Sequence, residues 1–99
     1  MPMTNQIPPN SPSARDVAEW MLSEVKRRGE FLQADATIGI LQKFGESFIY
    51  YNGSGNQAIS KVVLNKFTSI SKDEVVWVAG LKYWRLRTAA DPPGRKQDG

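Results

Sequence analysis

An α+β fold follows from two features of the sequence. Three segments between residues 13 and 70 repeat apolar side chains at three-and-four spacing, the period of an amphipathic helix. The chain then closes on an alternating run, Val75 to Arg87, broken at Gly80 like a β-hairpin. Ninety-nine residues is the length of one domain, and such a chain can bury a single core without disulfides or a metal. With 40% apolar and 23% charged residues, the composition is that of a globular protein.

The first helix is predicted at 14–28. Ser13 and Asp16 have the spacing of a capping box, in which the hydroxyl accepts from the amide three residues on and the carboxylate lies near the positive helix end. Val17, Trp20, Met21, Glu24 and Val25 follow the helical period. Lys26, Arg27 and Arg28 suit the negative C-terminal end, and Gly29 is a natural cap.

Phe31-Leu32-Gln33 reads as a short extended piece that needs a later strand to pair with. A second helix is predicted from Asp35 to Phe44, with Ile38, Leu41 and Phe44 on its apolar side, Gly39 weakening it and Gly45 ending it. Ser47 to Tyr51 is rich in β-formers, and Asn52-Gly53-Ser54-Gly55 is turn chemistry.

The strongest helical pattern runs from Asn56 to Ser69: Ile59, Val63, Phe67 and Ile70 share one face, while Gln57, Lys61, Asn65 and Thr68 share the other. Val75–Val78 and Lys82–Arg87 then form the hairpin. Its alternation puts Val75, Trp77, Trp84 and Leu86 on a core face, and Val76, Val78, Tyr83, Arg85 and Arg87 on a wet one. Trp77 and Trp84 fall on the same hairpin face, where a cross-strand aromatic pair is worth about 0.2–1 kcal/mol, and are expected to pack on Trp20 and Phe67.

Residues 1–12 hold four of the six prolines and read as a flexible N-terminal arm. Residues 89–99, with Pro92 and Pro93, read as a flexible C-terminal tail, leaving 13–88 as the folded domain. Met1 to Asn10 lacks the pattern of a signal peptide and no run approaches membrane-spanning length, so a cytoplasmic location and no membrane partner are expected. Asn52-Gly53-Ser54 matches a glycosylation sequon but reads as a turn.

The chain has no cysteine and no histidine. That removes disulfides, thiolate metal sites, cysteine nucleophiles, imidazole bases and the common zinc ligands. Gly53-Ser54-Gly55-Asn56 precedes a helix without the Lys-Ser/Thr of a phosphate loop. Asp73-Glu74 and the set Asp16, Glu19 and Glu24 read as solvated charge. The expectation is a protein that is not an enzyme and binds neither cofactor nor metal.

The net charge is +3. Between residues 47 and 90 only Asp73 and Glu74 oppose Lys61, Lys66, Lys72, Lys82, Arg85 and Arg87, so the basic excess lies in the second half. The predicted order, helix, short strand, helix, helix, hairpin, is winged-helix-like, a variant of the helix-turn-helix plan whose third helix enters the major groove. On that plan the chain is a DNA-binding or transcription-associated module for double-stranded DNA. Gln57 and Asn65 would meet adenine edges, Lys61 guanine or phosphate, and Lys82, Arg85 and Arg87 the phosphates. The alternative is a protein-interaction module, or a homodimer, using Phe48, Tyr50 and Tyr51 or the Tyr83 face of the hairpin. Polar residues on a helix also serve simply as a solvent face, and fold does not fix function.

Trp20-Met21-Leu22, Gly29 with Leu32-Gln33, Phe48, Tyr50 and Asn52, Gly55-Asn56 with Ala58-Ile59, Val63-Leu64 with Phe67, Val76-Trp77, Tyr83-Trp84-Arg85 with Arg87, and Asp91-Pro92 together resemble a family of small bacterial proteins known only as a domain of unknown function. The resemblance spans about residues 15–95. It implies bacterial origin and an uncharacterised role, and supplies no catalytic residue, cofactor or ligand. Against helix-turn-helix regulators the chain departs in one respect: Glu46 to Gly55 separates the second and third helices, where about three or four residues are usual.

Overall fold

The computed structural model describes residues 12–89, Asp91 and Lys96–Gln97. Apart from Pro12, the arm assigned to 1–12 lies outside the described residues, as do residues 90, 92–95 and 98–99 of the tail. The fold is α+β. Helix α1 (Ala14–Arg28) leads into strand β1 (Glu30–Leu32) and helix α2 (Gln33–Phe44). A short ribbon, β2 (Ile49–Tyr51) and β3 (Gln57–Ile59), precedes helix α3 (Lys61–Ser71). The hairpin β4 (Val75–Val78) and β5 (Tyr83–Leu86) follows, and β6 (Lys96–Gln97) comes last.

The ends of α1 are those its sequence encodes. The Asp16 amide donates to Ser13 Oγ at 3.2 Å and the Ser13 amide to Asp16 Oδ2 at 2.8 Å, completing the capping box. Gly29 takes φ 85° and its amide donates to the Val25 carbonyl. Val17, Ala18, Met21 and Val25 are buried along one stripe, the main wall of the core, against Val63 and Phe67 of α3.

The extended piece after α1 pairs antiparallel with β5, with Phe31 opposite Trp84 and buried. The larger sheet has the order β1-β5-β4-β6, with β6 parallel to β4. Within the stretch assigned to a tail, therefore, Lys96–Gln97 pairs with Trp77 and Val78.

Helix α2 starts directly after β1, at Gln33. Of the expected stripe Ile38, Leu41 and Phe44, Phe44 packs on the core and Leu41 is half-buried, but Ile38 does not face it. Ala36, Thr37 and Ile40 face inward, and Ile38 is 52% exposed. The reason is Gly39: a Cβ there would collide with the Trp20 indole, so the bare glycine backbone receives the ring. That contact turns the helix so that Ala36 and Ile40 meet the core. Trp20 accordingly stacks edge-on with Phe31 and Phe44, at 5.6 and 5.8 Å between centroids, rather than joining the hairpin tryptophans. Phe67 meets Trp84 at 5.3 Å, and Trp77 lies 4.9 Å from Trp84.

The third helix begins five residues later than the expected Asn56, at Lys61. Gln57 to Ile59 form β3, paired with β2 in the register Ile49↔Ile59, Tyr50↔Ala58, Tyr51↔Gln57. The turn chemistry decides this. Asn52 Oδ1 accepts from the Ser54 and Asn56 amides, the Asn52 amide donates to the Asn56 carbonyl, and Gly55 supplies φ 81°. The Ser60 amide extends the ladder to the Phe48 carbonyl. Ile59 reaches the core from a strand, four residues before helical Val63, and that spacing imitates one more helical turn.

The hairpin register puts Val75 opposite Leu86 and Trp77 opposite Trp84, as the alternation implies. Its second face is not wet. Val76 is fully buried and Val78 is 3% exposed, although neither belongs to the main core cluster. Arg85, opposite Val76, is held on that face by Asp91.

Candidate interaction surface

The six residues expected to meet DNA are spread over β3, α3, the β4–β5 turn, β5 and the segment just after it. Lys61 and Asn65 are exposed one turn apart at the start of α3. Gln57 is not on that helix face: it is an exposed residue of β3, and its amide Nε2 lies 3.5 Å from the Tyr51 hydroxyl. Lys82 sits in the β4–β5 turn at φ 56°, with its carbonyl accepting from the Gln33 amide at 2.9 Å.

Arg85 and Arg87 bind their own chain. Arg85 donates from both terminal nitrogens to Asp91, at 2.9 and 2.6 Å, and Asp91 also accepts from the Thr88 amide at 2.7 Å. These bonds hold the Asp91 carboxyl well below the ordinary carboxylate range and raise the Arg85 guanidinium above its usual value, the Arg85–Asp91 bond being the largest cause of each. Arg87 donates from Nε to the Asp73 carbonyl at 2.6 Å and from its amide to the Glu74 carbonyl at 2.8 Å. The guanidinium groups meant for phosphates are thus engaged at the foot of the hairpin.

The basic run at the end of α1 is also internally paired. Buried Glu24 accepts from Arg27 at 2.6 Å and from Arg28 at 3.0 Å. The bond from Arg27 is the chief reason its carboxyl lies below the usual value. Arg28 covers the Phe31 ring at 5.0 Å, and Lys26 reaches Glu74 at 3.6 Å.

Of the residues expected to meet protein, Tyr50 and Tyr51 are 42% and 69% exposed. As neighbours on β2 they point to opposite faces of the ribbon. Phe48 is half-buried against Phe44, and Tyr83 is half-buried in the other sheet, across from Val78. These four do not form one patch.

What the fold does assemble is a cleft of about 310 Å³. The first turn of α2 gives it Gln33, Ala34 and Thr37, the ribbon gives Asn52, Asn56, Gln57 and Ala58, and the hairpin turn gives Leu81 and Lys82, with Leu32 beside them. Gln57 also lines a second depression of about 170 Å³, with Leu41, Glu46, Ile49 and Tyr51. Gln57 thus lines both clefts. Four of the ten residues that line the first cleft carry carboxamides, groups with both a donor and an acceptor, of which the Asn52 acceptor is already taken by the Ser54 and Asn56 amides. Leu32 and Leu81 edge it with 49% and 64% of their surface exposed.

From the sequence Leu32 reads only as part of a short extended piece and Asn52 and Asn56 only as turn residues, and Leu81 is not singled out. Only Leu81 left a signal, as a large apolar side chain beside Gly80 where turn chemistry favours a polar one. The asparagines look like any turn residues until the fold brings the ribbon turn to the same cleft as the start of α2.

Among the described residues no group of three or more His, Cys, Asp or Glu side chains could hold a metal ion, and no helix is long and apolar enough to cross a membrane. No curated protein and no solved structure matches the chain. A family profile does match, across residues 13–86 and so over all three helices, the ribbon and the hairpin. The chain belongs to the Family of unknown function (DUF6953).

Proposed function

We propose that this protein is a non-enzymatic interaction module that receives an extended segment of a partner protein in the cleft between α2, the β2–β3 ribbon and the β4–β5 turn. One observation carries the reading: carboxamides from Gln33, Asn52, Asn56 and Gln57 converge on a single cleft edged by exposed Leu32 and Leu81. Carboxamides can pair with both groups of a peptide bond, and the leucines offer apolar footing for alternate side chains. A bacterial, cytoplasmic setting belongs to the proposal and draws its support from the sequence resemblance and composition alone.

The test is a photo-crosslinking amino acid placed at Leu81, and separately at Asn65, in the full chain expressed in cells. Protein adducts at position 81 are expected. Nucleic-acid adducts at 65, with none to protein at 81, would reverse the reading. Adducts to a second copy would make the partner the chain itself.

A second reading, a winged-helix-like DNA-binding or transcription-associated module, draws on the pairing of β1 to β5 and β5 to β4, and on Lys61 and Asn65 exposed a turn apart. It requires duplex affinity that falls steeply with salt and with Lys61→Ala. Titration of a labelled random duplex at two salt concentrations measures both.

A further inference from the structure

We infer that Asn52–Gly53 is a self-modification site, at which the ribbon turn promotes conversion of the Asn52 side-chain amide to an acid. The inference stands independently of the function proposed above. It rests on how the turn holds one carbonyl. Asn52 Oδ1 accepts two backbone N–H groups, from Ser54 at 2.9 Å and from Asn56 at 3.1 Å. Two amides converging on one carbonyl oxygen at these distances form the donor pair that stabilises an oxyanion when a nucleophile adds to the carbon.

The nucleophile is the next nitrogen along the chain. Among the described residues no hydrogen bond uses the Gly53 amide, and an added Cβ at Gly53 would meet nothing within 4 Å. The nitrogen is neither tied up nor shielded by a side chain. Asn52, Gly53 and Ser54 are all exposed, so solvent reaches the site. The main chain of Asn52 is anchored at both polar groups, its amide to the Asn56 carbonyl and its carbonyl to the Gly55 amide.

The chemistry balances with water alone. A solvent base removes the Gly53 amide proton, and the nitrogen adds to Cγ of Asn52 as the Oδ1 oxyanion settles on its two donors. Nδ2 takes up a proton and leaves as ammonia, which closes a five-membered succinimide. Water then adds to either ring carbonyl. Opening at one carbon gives aspartate, and opening at the other gives isoaspartate. Aspartate keeps the acceptor and strengthens both hydrogen bonds with a charge. Isoaspartate lengthens the main chain by one carbon inside the turn. Either product brings a carboxylate to the cleft that Lys82 lines.

The chain carries its own controls. Asn65 lies inside α3, where the following amide is committed to the helix. Asn56 precedes Gln57, a strand residue with a side chain. The experiment incubates the full chain in mildly alkaline buffer, folded and separately in denaturant, and follows amide-to-acid exchange at each asparagine by peptide mass spectrometry. A folded rate at Asn52 above the denatured rate is expected, with Asn56 and Asn65 unchanged. A folded rate equal to or below the denatured one would overturn the inference, because the turn would then not be promoting the reaction. Ser54→Pro removes one donor and is expected to slow the folded reaction several-fold, with folding checked by circular dichroism. If that variant unfolds, the comparison on the unaltered chain decides.

Discussion

The Arg85 guanidinium grips both carboxylate oxygens of Asp91, which lies five residues beyond the end of β5. The side chain of Asp91 is 8% exposed there. Because Asp91 is held below its ordinary value, the pair contributes in full above the unfolded carboxylate pKa, about 3.9. The contribution is lost as pH falls through the lower folded value. Asp91→Asn is expected to lower the melting temperature at neutral pH and to converge with the unaltered chain in strong acid. Melting curves from neutral to acid pH check this; an equal loss at every pH would contradict it.

Gly39 reverses an ordinary helix rule. In an open helix Gly→Ala gains about 1 kcal/mol. Here the new methyl meets the Trp20 ring, and Gly39→Ala is expected to destabilise by about 1–3 kcal/mol, the cost of overpacking. Adding Trp20→Leu should recover part of that loss, so a double-mutant cycle in urea would give strong coupling. Additive effects would mean the ring moves aside freely.

Two serines precede helices, and they are expected to respond differently to alanine. Ser13→Ala removes a working cap from α1 and should cost about 1 kcal/mol. Ser60 stands at the same place before α3, yet its hydroxyl makes no cap bond and is buried without a partner. Ser60→Ala is therefore expected to be neutral or stabilising. Chemical denaturation of both variants decides.

Lys82 can be tested for charge and conformation separately. It occupies φ 56°, which asparagine tolerates and a β-branched residue does not. Lys82→Asn should leave stability within about 0.5 kcal/mol, as an exposed substitution does. Lys82→Val should cost about 1–2 kcal/mol. Loss of partner crosslinking in the asparagine variant would then report on the ammonium alone.

Local signals made much of this fold legible. Ser13 with Asp16, Gly29, Gly45 and the pairing of Trp77 with Trp84 all act through neighbours near in sequence or directly across a tight hairpin. The misread elements depend on distant partners. The apolar stripe of α2 is set by Trp20, a full helix earlier, and Ile38 looks as apolar as Ile40 until that ring is placed. The ribbon was hidden because Ile59 and Val63 are both apolar and four apart, so strand and helix share one period at their junction. The wet face assigned to Arg85 dried because its partner lies past the strand. The cleft was the least legible feature, since its walls come from three segments whose residues look ordinary one by one.

Between β1 and α2 there is no loop at all. The strand ends at Leu32, the helix begins at Gln33, and the two are pinned at that junction by the Gln33 amide on the Lys82 carbonyl. The rotational phase of the helix is therefore geared to the register of the strand. A slip of one residue along β5 would swing every side chain of α2 by about 100°, since a turn takes 3.6 residues. Ile40 would leave the core and Gly39 would leave the indole. A single-residue insertion in β1 should thus be far more damaging than the same insertion in the turn at Gly53.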